Sequence, residues 1–167
     1  MILLLPSLSS SIYLMNSALD RTNTATVRLL LVDDHAAGLA ARSSVLTELG
    51  FAISTASSAE LALVKFKAEP FPLVVTDYKL PGMTGVDLIA GIRAIAPETR
   101  IVLISGFVDA LGLTEHSTGA DTVLAKSANE VTQLIRAVNR LLRRTAAKKP
   151  GTAKKSAAAA KKAAGAS

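Results

Sequence analysis

Leu73-Val74-Val75-Thr76-Asp77-Tyr78-Lys79-Leu80-Pro81-Gly82-Met83-Thr84-Gly85 is the stretch on which the fold turns. Leu73 to Thr76 is a short apolar, β-branched run of the kind that forms a buried strand. It delivers one carboxylate, Asp77, at its C-terminal end. Pro81-Gly82 then supplies turn chemistry, because proline presets φ and glycine accepts a positive one. Taken alone, Asp77 could simply end a strand or cap a turn. In an open α/β sheet, however, ligands bind at the carboxyl ends of the strands.

Working outward, the same pattern recurs on both sides. Val27-Arg28-Leu29-Leu30-Leu31-Val32 is an apolar strand closed by Asp33-Asp34. Ala36 to Leu49 reads as a helix with Leu39, Leu46 and Leu49 near one face and Gly50 beyond its end. Phe51 to Ala56 is a second strand. Ser57 and Glu60 have the spacing of a capping box, which opens a helix to about Ala68. Beyond the quoted stretch, Leu88, Ile89, Ile92, Ile95 and Ala96 form an apolar helical stripe that stops before Pro97. Arg100 to Ile104 is a fourth strand, ended by Ser105-Gly106. Residues 107–119 have no clear period and suggest at most a short helix between glycines. Asp121 to Ala125 is a fifth strand, ended by Lys126. Ser127 and Glu130 have capping-box spacing before a last helix striped by Val131, Leu134, Ile135, Val138, Leu141 and Leu142.

Five strands alternating with five helices predict an α/β fold: a doubly wound, flavodoxin-like parallel sheet covered on both faces. At this size the common strand order is 2-1-3-4-5, which sets strands 1 and 3 side by side. Asp33, Asp34 and Asp77 then converge on one crevice, with Ser105 and Lys126 at neighbouring strand ends. Carboxylates so crowded need compensation by protonation or by a cation. An all-oxygen set suits a hard ion such as Mg²⁺. Lysine and serine suit phosphoryl oxygens instead. Together these are parts for in-line phosphoryl transfer onto Asp77.

These residues give the chain a family resemblance. Leu31-Val32-Asp33-Asp34-His35, Val75-Thr76-Asp77, Leu80-Pro81-Gly82-Met83-Thr84-Gly85, Ile104-Ser105-Gly106, Gly119-Ala120-Asp121 and Lys126 resemble, in order and spacing, the receiver domain of bacterial two-component response regulators. The resemblance spans about residues 27–143. It implies that Asp77 is the phospho-acceptor and that Asp33, Asp34, Asp77 and the Lys79 backbone carbonyl hold Mg²⁺. It also implies that Ser105 and Lys126 bind the phosphoryl oxygens, and that the donor is a histidine kinase or phosphotransfer protein. The domain would act as a phospho-acceptor that assists its own phosphorylation and dephosphorylation, passing its signal to an output protein that the sequence does not identify. Two departures stand out. Val123 occupies the place of the family's usual aromatic switch residue, and Ser127 replaces the proline that often follows the lysine.

His35 and His116 read as loop or surface residues as readily as functional ones, and Tyr78 as either a pocket flank or a loop aromatic. A small phosphatase or dinucleotide enzyme on a similar sheet is disfavoured. No second aspartate lies two residues after Asp77, and no G-x-G-x-x-G follows strand 1.

The 167 residues are half hydrophobic, contain no cysteine, and carry a net charge of +6. There is thus no disulfide framework or thiolate site, which fits a cytoplasmic protein. The charge is unevenly placed. Residues 140–167 hold nine of the nineteen basic residues and no acidic one, leaving ten against thirteen elsewhere. We read residues 1–26 as a leader and linker, apolar at first but without a signal peptide's basic start or a membrane span's length. Met15 offers an alternative start. Residues 27–144 form the receiver and 145–167 a disordered basic tail. Lys148, Lys149, Lys154, Lys155, Lys161 and Lys162 in that tail suit non-specific binding to nucleic-acid phosphates. Anionic lipid and simple solvation are the rival uses. The function expected is that of a single-domain response regulator. The alternative is a receiver-like module recruited to nucleic acid through its tail.

Overall fold

The computed structural model describes residues 26–147. Five parallel strands, β1 (Arg28–Val32), β2 (Ala52–Ala56), β3 (Leu73–Asp77), β4 (Arg100–Ser105) and β5 (Thr122–Ala125), lie in the order β2-β1-β3-β4-β5, as the alternation predicts. Three of the connecting helices are regular: α1 (Ala36–Glu48), α2 (Ala59–Ala68) and α3 (Gly85–Ile95). The fourth connection is two helical turns, α4 (Val108–Leu111) and α5 (Glu115–Thr118), and α6 (Glu130–Ala147) follows the last strand. No described helix is long and apolar enough to cross a membrane.

The three inner strands have no polar face over most of their length, as expected of a sheet covered on both sides. Their alternating residues divide between two cores. Leu30, Val32, Val74, Ile101 and Leu103 pack against Ala62 and Phe66 of α2 and Leu88, Ile89 and Ile92 of α3. Leu29, Leu31, Leu73, Val75, Val102 and Ile104 pack on the other side against Leu46 of α1 and Leu134, Val138 and Leu141 of α6. Fully burying each such side chain stabilises the fold by roughly 1.5–3 kcal/mol before chain entropy is counted. The carboxylates of Asp33 and Asp77 accordingly stand at the strand ends.

The end of the sheet away from those carboxylates is fastened by Arg93. Its guanidinium, at the end of α3, donates to the carbonyls of Pro97, Thr99 and Gly119 and to Asp121 Oδ2 at 2.8 Å. Asp121 also accepts from Arg100 Nη1 at 3.0 Å and from the Ile101 N–H at 2.9 Å. Burial alone would raise the Asp121 pKa, but these donors outweigh it and hold the carboxyl below the usual range.

Several local expectations need correction. Leu49 and Ile95 lie at or beyond the helix ends and are 49% and 45% exposed, so neither belongs to a buried stripe. The cap of α2 is Ser58, whose hydroxyl accepts from the Leu61 N–H at 3.2 Å; the Ser57–Glu60 frame is off by one residue. Gly112 and Gly119, at φ +56° and +73°, end α4 and α5 in the left-handed conformation, so the segment is two short turns and not one short helix. The leader before residue 26 and the tail beyond 147 lie outside the described residues.

Candidate phosphoryl and metal site

Parallel strands start and stop in register, so the C-terminal ends of β1 and β3 present their terminal carboxylates side by side. Val32 pairs with Thr76, which puts Asp33 and Asp77 one residue further on at the same edge. The Asp33 N–H is anchored by the Ala56 carbonyl at 3.1 Å, which continues the β1–β2 ladder up to the site. Asp33, Asp34 and Asp77 each offer a carboxylate oxygen, and these oxygens all lie within 4.8 Å of one another. Asp33 and Asp77 are buried, while Asp34 is exposed.

The loop after β3 shapes the crevice by close backbone packing. The Gly85 N–H donates to the Tyr78 carbonyl at 2.8 Å, folding Leu80 to Thr84 back on the strand end. A Cβ at Gly85 would lie 2.2 Å from the Asp77 carbonyl oxygen, so no side chain fits there. Gly82 has φ +76°, the left-handed conformation expected of the Pro-Gly turn. Thr84 and Asp87 cap α3 reciprocally.

The remaining residues named from the sequence come to the same edge, with one placed less decisively. Lys126 Nζ lies 2.8 Å from Asp77 Oδ2. Ser105 is buried at the end of β4, beside Ala125, and its Oγ accepts the Phe107 N–H at 3.0 Å. Lys79 stands two residues past Asp77 with its side chain exposed. His35 is the N-cap of α1, its Nδ1 accepting the Gly38 N–H at 3.1 Å, and His116 is exposed on α5. Tyr78 is half-buried against the core. Val123 packs against the same core, and no described peptide bond is cis.

Two residues escaped the sequence reading. Arg42, in the middle of α1, is 8% exposed and donates from Nη1 to Asp33 Oδ2 and from Nε to Glu130 Oε1 at 2.6 Å. Burial would lower its pKa, but the two carboxylates outweigh that and hold the guanidinium charged. Glu130 therefore does not serve the expected Ser127 capping box. Its carboxylate is drawn to Arg42, and its N–H meets the Ser127 carbonyl at 3.1 Å. The signal for Arg42 was a charge on the helix face shared by Leu39 and Leu46, where a lone cation needs a buried partner.

Burial raises the Asp77 pKa; the Lys126 ammonium pulls it back and Asp33 adds to the rise, leaving the carboxyl above its ordinary range. The donor set fits a divalent hard cation. It consists of three oxygen-bearing anions, with Lys126 and Arg42 as the cations hydrogen-bonded to them, Arg42 being shared with Glu130. The family model for the response regulator receiver domain matches residues 29–139.

The chain belongs to the response regulator receiver family. Among curated relatives, this receiver is 31% identical over 131 residues to the alginate biosynthesis transcriptional regulatory protein AlgB of Pseudomonas aeruginosa, covering 78% of this chain and 27% of AlgB. It is 32% identical over 102 residues to the acid tolerance regulatory protein ActR of Rhizobium meliloti, covering 60% of this chain and 53% of ActR. It thus spans about a quarter to a half of these relatives. Among solved structures, a receiver protein from Sinorhizobium medicae shares 32% identity with a TM-score of 0.64, over 72% of this chain and 98% of that one. Response regulator TrrA of Thermotoga maritima, solved in complex with Mg²⁺-BeF, shares 29% identity with a TM-score of 0.63, over 70% and 99% respectively. The receiver fold and a general place in two-component signalling follow.

Proposed function

We propose that Asp77 accepts a phosphoryl group from a phosphohistidine of a histidine kinase or phosphotransfer protein. The observation that carries this reading is the Asp77 carboxylate, buried at a strand end, with Lys126 at 2.8 Å and two further carboxylates within 4.8 Å. A carboxylate oxygen forms the new O–P bond as the P–N bond to the donor imidazole breaks, and the electron pair leaves with the imidazole nitrogen. Lys126, a point charge with three donors, faces the attacked edge and suits the transferred phosphoryl oxygens. The Ser105 hydroxyl, whose oxygen accepts the Phe107 N–H, keeps its own proton to supply as a second donor. Asp33, Asp34, Asp77 and the Lys79 carbonyl would hold Mg²⁺, which when bound neutralises charge between the carboxylates and the phosphoryl oxygens. The protein is thus read as a phospho-acceptor of the cytoplasm rather than a turnover enzyme.

The test is incubation with acetyl phosphate and Mg²⁺ followed by intact mass. One added phosphoryl group, labile to hydroxylamine, is expected. Asp77→Asn should abolish it, and His116→Ala should leave it unchanged. An undiminished adduct on Asp77→Asn would overturn the site. The basic composition of residues 140–167 supports a second role, in which the Lys148 to Lys162 lysines attach the receiver to nucleic acid.

A further inference from the structure

Asp33 has less freedom than a metal ligand at a loop would have. It is 2% exposed, its Oδ1 accepts the His35 N–H at 2.8 Å, and its Oδ2 accepts Arg42 Nη1. With both oxygens held by the protein, the carboxylate cannot rotate, and the lone pairs left over keep one direction. A guanidinium in that place would ordinarily compete with a cation for the carboxylate. Here Glu130 Oε1 sits 2.6 Å from Arg42 Nε, so arginine and glutamate enter the site as a neutral pair. The planar fork of arginine is what lets one side chain serve two carboxylates from different nitrogens. The charge of Arg42 is thereby balanced by Glu130 while the most buried of the three aspartates is fixed in place. The pair also joins the middle of α1 to the first residue of α6, 88 positions apart.

We propose that Arg42 is a positioning residue for the divalent cation, held in that role by Glu130, and that it sets a preference for Mg²⁺ over larger ions. The inference rests on the cation site described under the proposed function. Mg²⁺ demands near-ideal octahedral geometry, whereas Ca²⁺ accepts varied ligand number and direction. Fixing Asp33 therefore matters more for Mg²⁺ than for Ca²⁺.

The test is calorimetric titration of the full chain with MgCl₂ and with CaCl₂, beside melting curves in chelator. Arg42→Met with Glu130→Met removes the pair without changing net charge. Because Arg42 also donates to the buried Asp33 Oδ2, the double substitution leaves that carboxylate without its cation, so the metal-free melting temperature should fall, and metal binding is titrated at a temperature where the variant is folded. The Mg²⁺ dissociation constant should rise about tenfold or more, as loss of an outer-shell partner typically causes. The Ca²⁺ constant should move by less than about threefold, since Ca²⁺ tolerates loosened geometry. Equal changes for the two ions, no change, or tighter Mg²⁺ binding would each overturn the proposal. Should the double variant fail to fold, Arg42→Lys keeps the charge but not the fork, and an unchanged Mg²⁺-to-Ca²⁺ ratio in it would overturn the proposal equally. If the unaltered protein binds neither ion, the cation site falls and this inference with it. If it binds Mg²⁺ and the variants do so unchanged, only the role of Arg42 falls.

Discussion

Replacing Asp77 by asparagine should make the metal-free domain more stable. The two neighbouring carboxylates stand within 4.8 Å of it, so at an effective dielectric constant near 20 each repels it by about 3.5 kcal/mol or more. Lys126, at 2.8 Å, attracts it by about 6 kcal/mol on the same scale. Solvent screens both the exposed Asp34 and the lysine, whose side chain is 36% exposed, so the comparison is not tilted toward one sign. Attraction and repulsion thus nearly cancel, and burial of the charge, the largest influence on Asp77, decides the sign and leaves a net cost of about 1 kcal/mol. Asparagine keeps the hydrogen bond from Lys126 and sheds the charge. A gain of about 1 kcal/mol should raise the melting temperature of a domain this size by about 4 °C.

The pH dependence gives a second handle on the same group. The folded-state pKa of Asp77 is raised, so between the ordinary carboxylate pKa and that raised value the folded form binds more protons than the unfolded chain. Its contribution is present at low pH and is lost as pH rises through the folded value. The assay is thermal unfolding in chelator across the acid range, read as the difference between Asp77→Asn and the unaltered protein, which cancels the groups not coupled to Asp77. The gap should widen as pH rises toward neutrality and narrow in acid. Saturating Mg²⁺ should shrink it, because the cation stabilises the unaltered protein more. A variant less stable than the unaltered protein at pH 7 in chelator would refute the reasoning, since attraction by Lys126 would then dominate.

Gly85→Ala should destabilise the domain by about 2 kcal/mol or more and slow acetyl-phosphate labelling, because its Cβ would lie 2.2 Å from the Asp77 carbonyl oxygen; melting curves and timed mass spectra check both. Asp121→Asn should cost about 2 kcal/mol at neutral pH by weakening charge-assisted bonds to Arg93 and Arg100. As the folded Asp121 pKa is lowered, that contribution is lost as pH falls through it, so acid unfolding curves of variant and unaltered protein should converge. Fluorescence anisotropy with a duplex DNA probe should show weak, sequence-independent binding by the full chain. Six to nine phosphate contacts would give a log–log salt slope of about −5 to −8, and truncation after Arg144 should abolish binding while Asp77 labelling survives.

The sheet was legible because each strand is a short apolar run that a polar residue terminates, and strand order then follows from chain length and handedness. Convergence of Asp33, Asp34 and Asp77 followed from that order. The capping frames were less secure. The spacing rule picks Ser57, three residues before Glu60, yet the cap is Ser58, with extended backbone at φ −148° and ψ 163°. Glu130 failed as a cap because its partner is 88 residues away, beyond any local pattern. Residues 107–119 resisted because two four-residue turns are too short to display a helical period. Leu49 is the C-cap of α1 and Ile95 the last residue of α3, so at both ends the apolar pattern outruns the buried face.

That broken connection bears on how the molecule breathes. A helix of four residues has barely nucleated, and nucleation is the expensive step. Turns α4 and α5 are closed by only a few backbone bonds, such as Leu111 N–H to the Phe107 carbonyl at 2.9 Å and Thr118 N–H to the Thr114 carbonyl at 3.1 Å. Phe107 and Leu111 contribute little packing, being 47% and 52% exposed. Amide hydrogens here should exchange with solvent through a local opening that leaves β1, β3 and β4 closed. Since the segment is tied to Ser105 through the Phe107 N–H, such an opening begins beside the proposed phosphoryl site and would loosen a hydroxyl meant to meet the phosphoryl oxygens.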